Sequence, residues 1–448
     1  MNRRNIHPRL LDLKYGLEKG DITRRQFLRY VSLLGCSTAA STGLIQVLRP
    51  RKAQAVAYGG KLKVSGILTG IKHPAQAKWL SPSQIFRHIS EYLTFTDVDN
   101  ITRPYLLQNW EADEELLTWT LHLRKGIFFN NADEMTADDV VFSFKQWLDR
   151  DIGSPMAAIL GGYLDPTGIE KVNRYQVRLH LNRPEIAVPE HLFFYPAVIL
   201  NHRTFEGNFL EAPHGTGPFR LETFEEGKRC TLKKRMAYWQ PGLPFLNEIE
   251  FVDLGFNTAK RVKALQAGKI DVADLSGSDE LDAFQKMNSD SHIRIEPVAT
   301  AQVNVLRMRV DRDPWQDNRV RTALKLCQHR EKILLLAGMK QGHLGQDCHV
   351  FPGHPEYCQT PAIKFDPRKA KSILMAAGYS DGLDVTLTIG DNRPDIQRYA
   401  EILKNDAAEA GFRIIIDKIS EKHYRQSFTK IDFGITPWPH RPLGTMVL

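Results

Sequence analysis

The chain has 448 residues, 42% hydrophobic and 25% charged, which is enough for more than one hydrophobic core and too ordinary for a disordered protein. Its formal charge of +8 suggests a nucleic-acid partner, yet residues 1–55 carry 11 of the 60 Lys/Arg and 3 of the 52 Asp/Glu, so the remaining 49 bases and 49 acids cancel. The body therefore lacks the charge footprint of a nucleic-acid binder, and no run of about 18 apolar residues in it predicts a membrane span.

The basic N-terminus has its own pattern. Thr23-Arg24-Arg25-Gln26-Phe27-Leu28-Arg29 resembles a twin-arginine export signal, with Arg24 and Arg25 as the pair. Residues 30–48 follow as a moderately apolar stretch, interrupted by Ser, Thr and Gly and too polar for a membrane anchor. Ala53-Gln54-Ala55 is a small-residue cleavage motif, so cleavage after Ala55 and export to the bacterial periplasm are expected. The alternatives are a basic amphipathic N-terminal helix and a lipidation box at Leu34-Gly35-Cys36, which lies too few apolar residues beyond the arginines.

Beyond the leader, residues 61–68 read as a first strand and 82–93 as a helix with Ile85, Phe86, Ile89 and Leu93 at helical spacing. Pro104-Tyr105-Leu106-Leu107-Gln108-Asn109-Trp110 precedes an alternating strand, 118–123, with Trp119, Leu121 and Leu123 on one face. Arg124-Lys125-Gly126 turns the chain, and residues 127–129 are expected to pair back. Thr136 then caps a helix with Asp139 as its box partner and Val140, Phe144 and Trp147 as its buried stripe. Glu134, Asp138 and Asp139 imitate a metal or catalytic carboxylate cluster, but capping explains them better. Residues 175–181 alternate as a half-buried strand with His180 on its polar face.

The stretch from Gly215 to Gly268 organises the middle of the chain. Gly215 and Gly217 permit a tight chain crossing, and Pro218 prevents a helix there. A hairpin, the pair Tyr238-Trp239 and a buried strand at 248–254 follow. Asn257 or Thr258 caps a helix carrying Val262 and Leu265 and ending at Gly268, before a strand begins at Ile270-Asp271-Val272. Later come one or two helices at 317–336, with Val320, Ala323, Leu324 and Cys327 as the apolar stripe. A helix at 366–377 has Pro367 at its first position and Gly378 as its stop. Strand 383–389, helix 395–410, strand 412–419, helix 420–428 and strand 431–435 complete an α/β alternation.

The ordered set Gly215-Thr216-Gly217-Pro218-Phe219, Tyr238-Trp239 and Ala264-Leu265-Gln266-Ala267-Gly268-Lys269-Ile270-Asp271-Val272 resembles the middle of the family 5 extracellular solute-binding proteins. So do Leu123-Arg124-Lys125-Gly126 with Thr136-Ala137-Asp138-Asp139-Val140, although Asn130-Asn131-Ala132 stands where that family usually has His-Asp-Gly. The resemblance implies a class II periplasmic-binding-protein-like α/β fold, with two lobes, a hinge and a smaller inserted α+β domain. It maps 1–55 to the signal, 56–95 and 207–299 to lobe I, 96–206 to the inserted domain, and 300–448 to lobe II. In the family, lobe II is followed by a return to lobe I, so the chain is expected to lack closing C-terminal elements.

The same resemblance implies a monomeric periplasmic receptor of an ABC importer, which captures a peptide-like or other small solute and delivers it to a membrane permease. The peptide receptors carry an Asp three residues after a Trp, and it pairs with the peptide's amino terminus. Here Trp438 matches the aromatic residue, but Arg441 occupies the Asp position, so an anionic or N-blocked solute is expected. Arg441 turned to solvent, or paired with a lobe carboxylate, is the competing expectation. The candidate ligand-binding residues are Trp438, His440, Arg441, Gly215, Thr216 and Gly217.

No catalytic motif, metal motif or cofactor motif is present, and neither an enzyme nor a cofactor is expected. An exported hydrolase and a metal or metal-chelate binder, using His343, His349 and His354, are the alternatives. Cys348 and Cys358 flank a Pro/His-rich loop and are expected to form a disulfide in an exported protein, whereas Cys230 and Cys327 read as buried small residues.

Overall fold

The computed structural model describes residues 10–19, 22, 24–34, 57–70, 72–77, 80–97, 100–255, 257–274, 292–296, 300–338, 342–350, 354, 357–358, 360–361, 363–438, 440–441 and 443–446. The chain divides into two compact units: Met1–Gly255 with Ile270–Val272, and Phe256–Lys269 with Ala273–Leu448. No helix among the described residues is long and apolar enough to cross a membrane. The cleavage motif 53–55 and Cys36 lie outside the described residues.

In the first unit the helices and strands are, in order, α1 (Leu10–Lys19), α2 (Arg24–Leu33), β1 (Lys61–Gly66), α3 (Leu80–Phe86), β2 (Thr94–Thr96), β3 (Thr102–Pro104), β4 (Leu107–Ala112) and β5 (Thr118–Leu123). Then come α4 (Ala137–Leu148), α5 (Pro155–Leu160), β6 (Ile169–Asn173), β7 (Gln176–His180), α6 (Val188–His191), β8 (Phe219–Glu225), β9 (Arg229–Lys234) and β10 (Glu248–Asp253). One sheet runs β1-β10-β9-β8, with β1 and β10 parallel and the rest antiparallel. A second, antiparallel sheet runs β4-β5-β7-β6 inside the segment expected to be the inserted domain. Its inner face presents Trp119, Leu121, Val177 and Leu179, and α4 packs over β6 and β7, its stripe Val140, Phe144 and Trp147 fully buried. Each of these large side chains contributes roughly 1.5–3 kcal/mol by leaving water. The Thr136 cap forms as expected: the Asp139 carboxylate accepts the Thr136 N–H at 2.8 Å. Asp139 also accepts from the His202 ring at 2.7 Å, so the acid works as a structural hub.

The second unit contains α7 (Thr258–Gln266), β11 (Val303–Met308), α8 (Asn318–Leu326), α9 (Arg330–Leu336), α10 (Pro367–Ala376), β12 (Leu383–Gly390), α11 (Pro394–Ala408), β13 (Phe412–Ile419), α12 (Glu421–Ser427) and β14 (Phe433–Trp438). Its sheet runs β11-β14-β12-β13, with β12 parallel to both neighbours and β11 antiparallel to β14. Val320, Ala323, Leu324, Cys327, Leu387, Ile389, Leu403 and Phe412 share one core. Asn257 caps α7, Asp366 caps α10, and Gly268 and Gly378 adopt φ of 63° and 101° as helix stops.

The structure departs from expectation in several places. The helix expected at 82–93 ends at Phe86, because the carbonyls of His88, Ile89 and Glu91 accept from Phe219, Gly217 and Ile199 of distant segments instead of from the next helical turn. Residues 127–129 pair with 133–135, through Met135 N–H to Ile127 O and Phe129 N–H to Asp133 O, and not with the preceding strand. Helix α7, mapped to lobe I, belongs to the second unit, while Val272 returns to pair with Val64 of β1. Cys348 and Cys358 are free, exposed thiols and do not form the expected disulfide; the Cys348 Sγ turns towards the Val350 carbonyl at 3.6 Å.

Candidate functional site

The candidate residues fall into two clusters, one in each unit. In the second unit, β14 lies between β11 and β12, and burial of Phe433 and Ile435 fixes its face. The buried Thr436 anchors the strand end: its hydroxyl receives the Arg307 Nε–H at 3.1 Å and meets the Tyr424 hydroxyl at 2.8 Å. Arg307 also lies 5.6 Å from the centre of the Phe428 ring.

At the end of this strand, half-buried Trp438 meets His349 edge-on at 5.5 Å and Phe428 edge-on at 6.1 Å. The Trp438 indole nitrogen and the His349 Nδ1 are both sealed from solvent and have no hydrogen-bond partner among the described residues. Burial holds the His349 imidazole below its ordinary pKa and hence neutral at pH 7. His440 is exposed at the surface, yet partial desolvation of its ring, followed by the neighbouring His354 and Arg441, lowers its pKa, and its Nδ1 accepts the Ala301 N–H at 3.0 Å.

The Arg441 residue is only 9% exposed, so its side chain is not turned to solvent. Its guanidinium donates to the His440 carbonyl at 3.1 Å, and its own carbonyl is bonded to the His354 Nε2 at 2.8 Å. The strand end is thus aromatic and basic, able to donate to an acceptor group and poorly suited to an ammonium group.

In the first unit the centre is an acid. Glu91 is 2% exposed and accepts from the Tyr238 hydroxyl at 2.5 Å and the Trp239 indole at 2.9 Å. The Tyr105 hydroxyl reaches that of Tyr238 at 3.2 Å, and Arg124 lies 5.5 Å from the centre of the Trp239 ring. Burial raises the Glu91 pKa above its ordinary value, and the hydroxyl and indole donors only partly oppose that shift.

Gly215, Thr216 and Gly217 run beside this acid. A Cβ at Gly215 would stand 2.1 Å from the Ile89 carbonyl oxygen, and one at Gly217 would stand 2.6 Å from that of His88. Their backbone groups are engaged within the unit: Gly217 N–H donates to Ile89 O at 2.7 Å, and Gly215 O accepts from Asn130 N–H at 2.9 Å. Arg235 closes the crossing, donating to the carbonyls of Gly215 and Gly217 at 3.3 Å each and of Phe128 at 2.9 Å. The structure therefore gives these glycines a packing role that leaves little of their backbone for a ligand.

Sequence reasoning passes over Glu91, Tyr105 and Arg235. An acid flanked by Ile89, Ser90, Tyr92 and Leu93 was the available signal for Glu91, since an ionisable group in an apolar run needs buried donors. The sequence offers His349 only as a metal ligand, not as a neighbour of Trp438. Among the described residues, no group of three or more His, Cys, Asp or Glu is placed to hold a metal ion.

Comparison with known proteins agrees with this architecture. The model of the middle region of the bacterial extracellular solute-binding proteins, family 5, matches residues 102–445. The di/tripeptide-binding protein 1 of Pseudomonas aeruginosa is 25% identical over 338 residues, covering 69% of this chain and 62% of its own length. The chain thus spans less than two thirds of that relative. The Helicobacter pylori periplasmic binding protein DppA, solved with the peptide STSA, superposes with a TM-score of 0.74 at 20% identity, covering 86% of this chain and 78% of that one. AgaA of A. tumefaciens R10, solved with agropinic acid, gives 0.74 at 22% identity over 87% and 79%. At these identities the structural likeness shows the two-lobe α/β fold.

Proposed function

The chain belongs to the bacterial extracellular solute-binding proteins of family 5, and on that premise we propose that it captures a small solute for an ABC importer. Bound solute stabilises a closed state through its differential affinity for that state, and the closed form delivers it to membrane permease subunits. The protein binds and releases without turnover, as a monomer. The observation that carries the solute class is the end of β14, where Trp438 is followed three residues later by buried Arg441. A guanidinium held there favours a carboxylate or similar acceptor over a free amino terminus, because two buried cations facing each other cost several kcal/mol. The solute is therefore an anionic or N-blocked, peptide-like molecule. The relative named for di- and tripeptides supports the peptide-like part of this reading.

Export is part of the same proposal. Arg24 and Arg25 open a twin-arginine signal that engages the twin-arginine translocase, and cleavage after Ala55 leaves the mature chain in the periplasm.

A thermal-shift scan of the full chain tests the solute class, with short peptides, N-acetylated peptides, small acids, sugars and metal chelates as probes. Anionic or N-blocked probes are expected to give the largest shift, about 2.7 kcal/mol of stabilisation at a hundredfold excess over Kd. A larger shift from a free amino group lacking an acid would overturn the Arg441 argument and leave peptide capture standing. No shift with any probe would overturn capture of these solute classes.

A further inference from the structure

The segment with the export motif does not stand apart from the body of the protein. Helix α2 begins at Arg24, and its distal half is packed into the first unit, with Val31, Leu33 and Leu34 buried. Three polar contacts fix it. The Arg29 guanidinium, 4% exposed, pairs with the Glu190 carboxylate of α6, 1% exposed, its Nε lying 2.5 Å from Oε1. The Trp110 indole of β4 donates to the Leu33 carbonyl at 2.7 Å, satisfying one of the acceptors that a helix C-terminus leaves open. The Ser32 hydroxyl donates to the Thr102 carbonyl of β3.

These contacts are specific in their chemistry. A buried carboxylate and a buried guanidinium each lose water, and only a close partner offsets that loss. The groove formed by Thr102, Trp110 and Glu190 therefore selects a helix that brings an arginine, a hydroxyl three residues later and an open carbonyl at its end. Arg29 also closes the motif that runs from Thr23 to Arg29.

We propose that α2 is an intramolecular ligand of the first unit, with Arg29–Glu190 as the latch, so that the folded chain holds its own export stretch until the helix undocks. The step from docking to export rests on the twin-arginine reading given above; the docking itself does not.

The experiment is hydrogen exchange on the full chain, wild type beside Glu190→Gln and Arg29→Gln. Amides of residues 27–34 are expected to be protected in the wild type and to exchange about a hundredfold faster in either variant, while β4 and β5 keep their protection. Wild-type amides exchanging at the unprotected rate, or protection unchanged in both variants, would overturn docking. If Glu190→Gln also loosens β4 and β5, Arg29→Gln decides, since it leaves the groove intact.

Export of the same full-length variants from bacterial cells supplies the second readout. Faster appearance of the Glu190→Gln chain outside the cytoplasm supports the latch, and an unchanged rate despite a released helix overturns sequestration. A chain with Arg24→Lys and Arg25→Lys that still leaves the cytoplasm would remove the twin-arginine reading and leave docking in place.

Discussion

The two candidate clusters are built around opposite charges, a buried acid in the first and a buried arginine in the second. Around Glu91 both carboxylate oxygens have donors in Tyr238 and Trp239, with the Tyr105 hydroxyl behind them, and Arg235 ties the adjoining chain crossing, while the buried Ser90 and Thr216 hydroxyls beside them have no hydrogen-bond partner among the described residues. At the end of β14, the Trp438 and His349 nitrogens are enclosed without a partner among the described residues, beside a buried arginine. A satisfied network rigidifies a fold, whereas enclosed polar groups without partners are held at a cost in stability that function can justify. On the function proposed above, the second cluster, with its buried arginine, is the candidate for ligand recognition, and the first is tied mainly into its own unit.

Breaking the first cluster is expected to give the largest losses of stability. Gly217→Ala forces a Cβ against the Ile89 and His88 carbonyls and should cost more than about 3 kcal/mol, measured by denaturant unfolding. A loss below about 1 kcal/mol would show that the crossing yields easily.

Glu91→Ala strands the Tyr238 and Trp239 donors and should cost about 2–3 kcal/mol. Its pH dependence has a definite sign. Because burial raises the folded-state pKa, the protonated acid is favoured in the folded chain, and its contribution is complete below the ordinary value of 4.5. That contribution falls as pH rises through the folded pKa. Glu91→Gln should remove this slope from the stability profile, and an unchanged slope would assign it to another group.

The second cluster should respond in binding more than in folding. Arg441→Ala is expected to weaken an anionic probe that stabilises the wild type by about tenfold or more, through loss of a charge-assisted contact. Equal affinity in wild type and variant, measured by calorimetry, would return Arg441 to a packing role.

The smallest effect belongs to a site outside both clusters. Gly378→Ala, at φ 101°, should cost about 1 kcal/mol without altering probe binding, and so calibrates what backbone strain alone does. A stability change reaching the Gly217→Ala value would erase the distinction drawn for the chain crossing.

The sequence by itself determined the local elements and their faces. The Thr136 cap, the stripe Val140, Phe144 and Trp147, the alternation at 118–123, the helix stops at Gly268 and Gly378 and the α/β order of the second unit depend on neighbours a few residues away. The ordered motifs also carried the family, which the match over residues 102–445 shows.

Tertiary structure alone decided what depends on partners far along the chain. Helix α3 stops at Phe86 because the carbonyls of His88, Ile89 and Glu91 are drawn to segments more than 100 residues away, a competition that helical spacing does not record. Glu91 became a buried hub because Tyr105, Tyr238 and Trp239 converge on it, and Gly215 and Gly217 proved to be points of close approach to Ile89. The pairing of Arg29 with Glu190 spans 161 positions, and the thiols of Cys348 and Cys358 are free despite their close spacing in sequence. Hydrogen bonds and ion pairs depend on distance in space, so a pattern of neighbours in sequence reveals an element's face but not the groups that meet it.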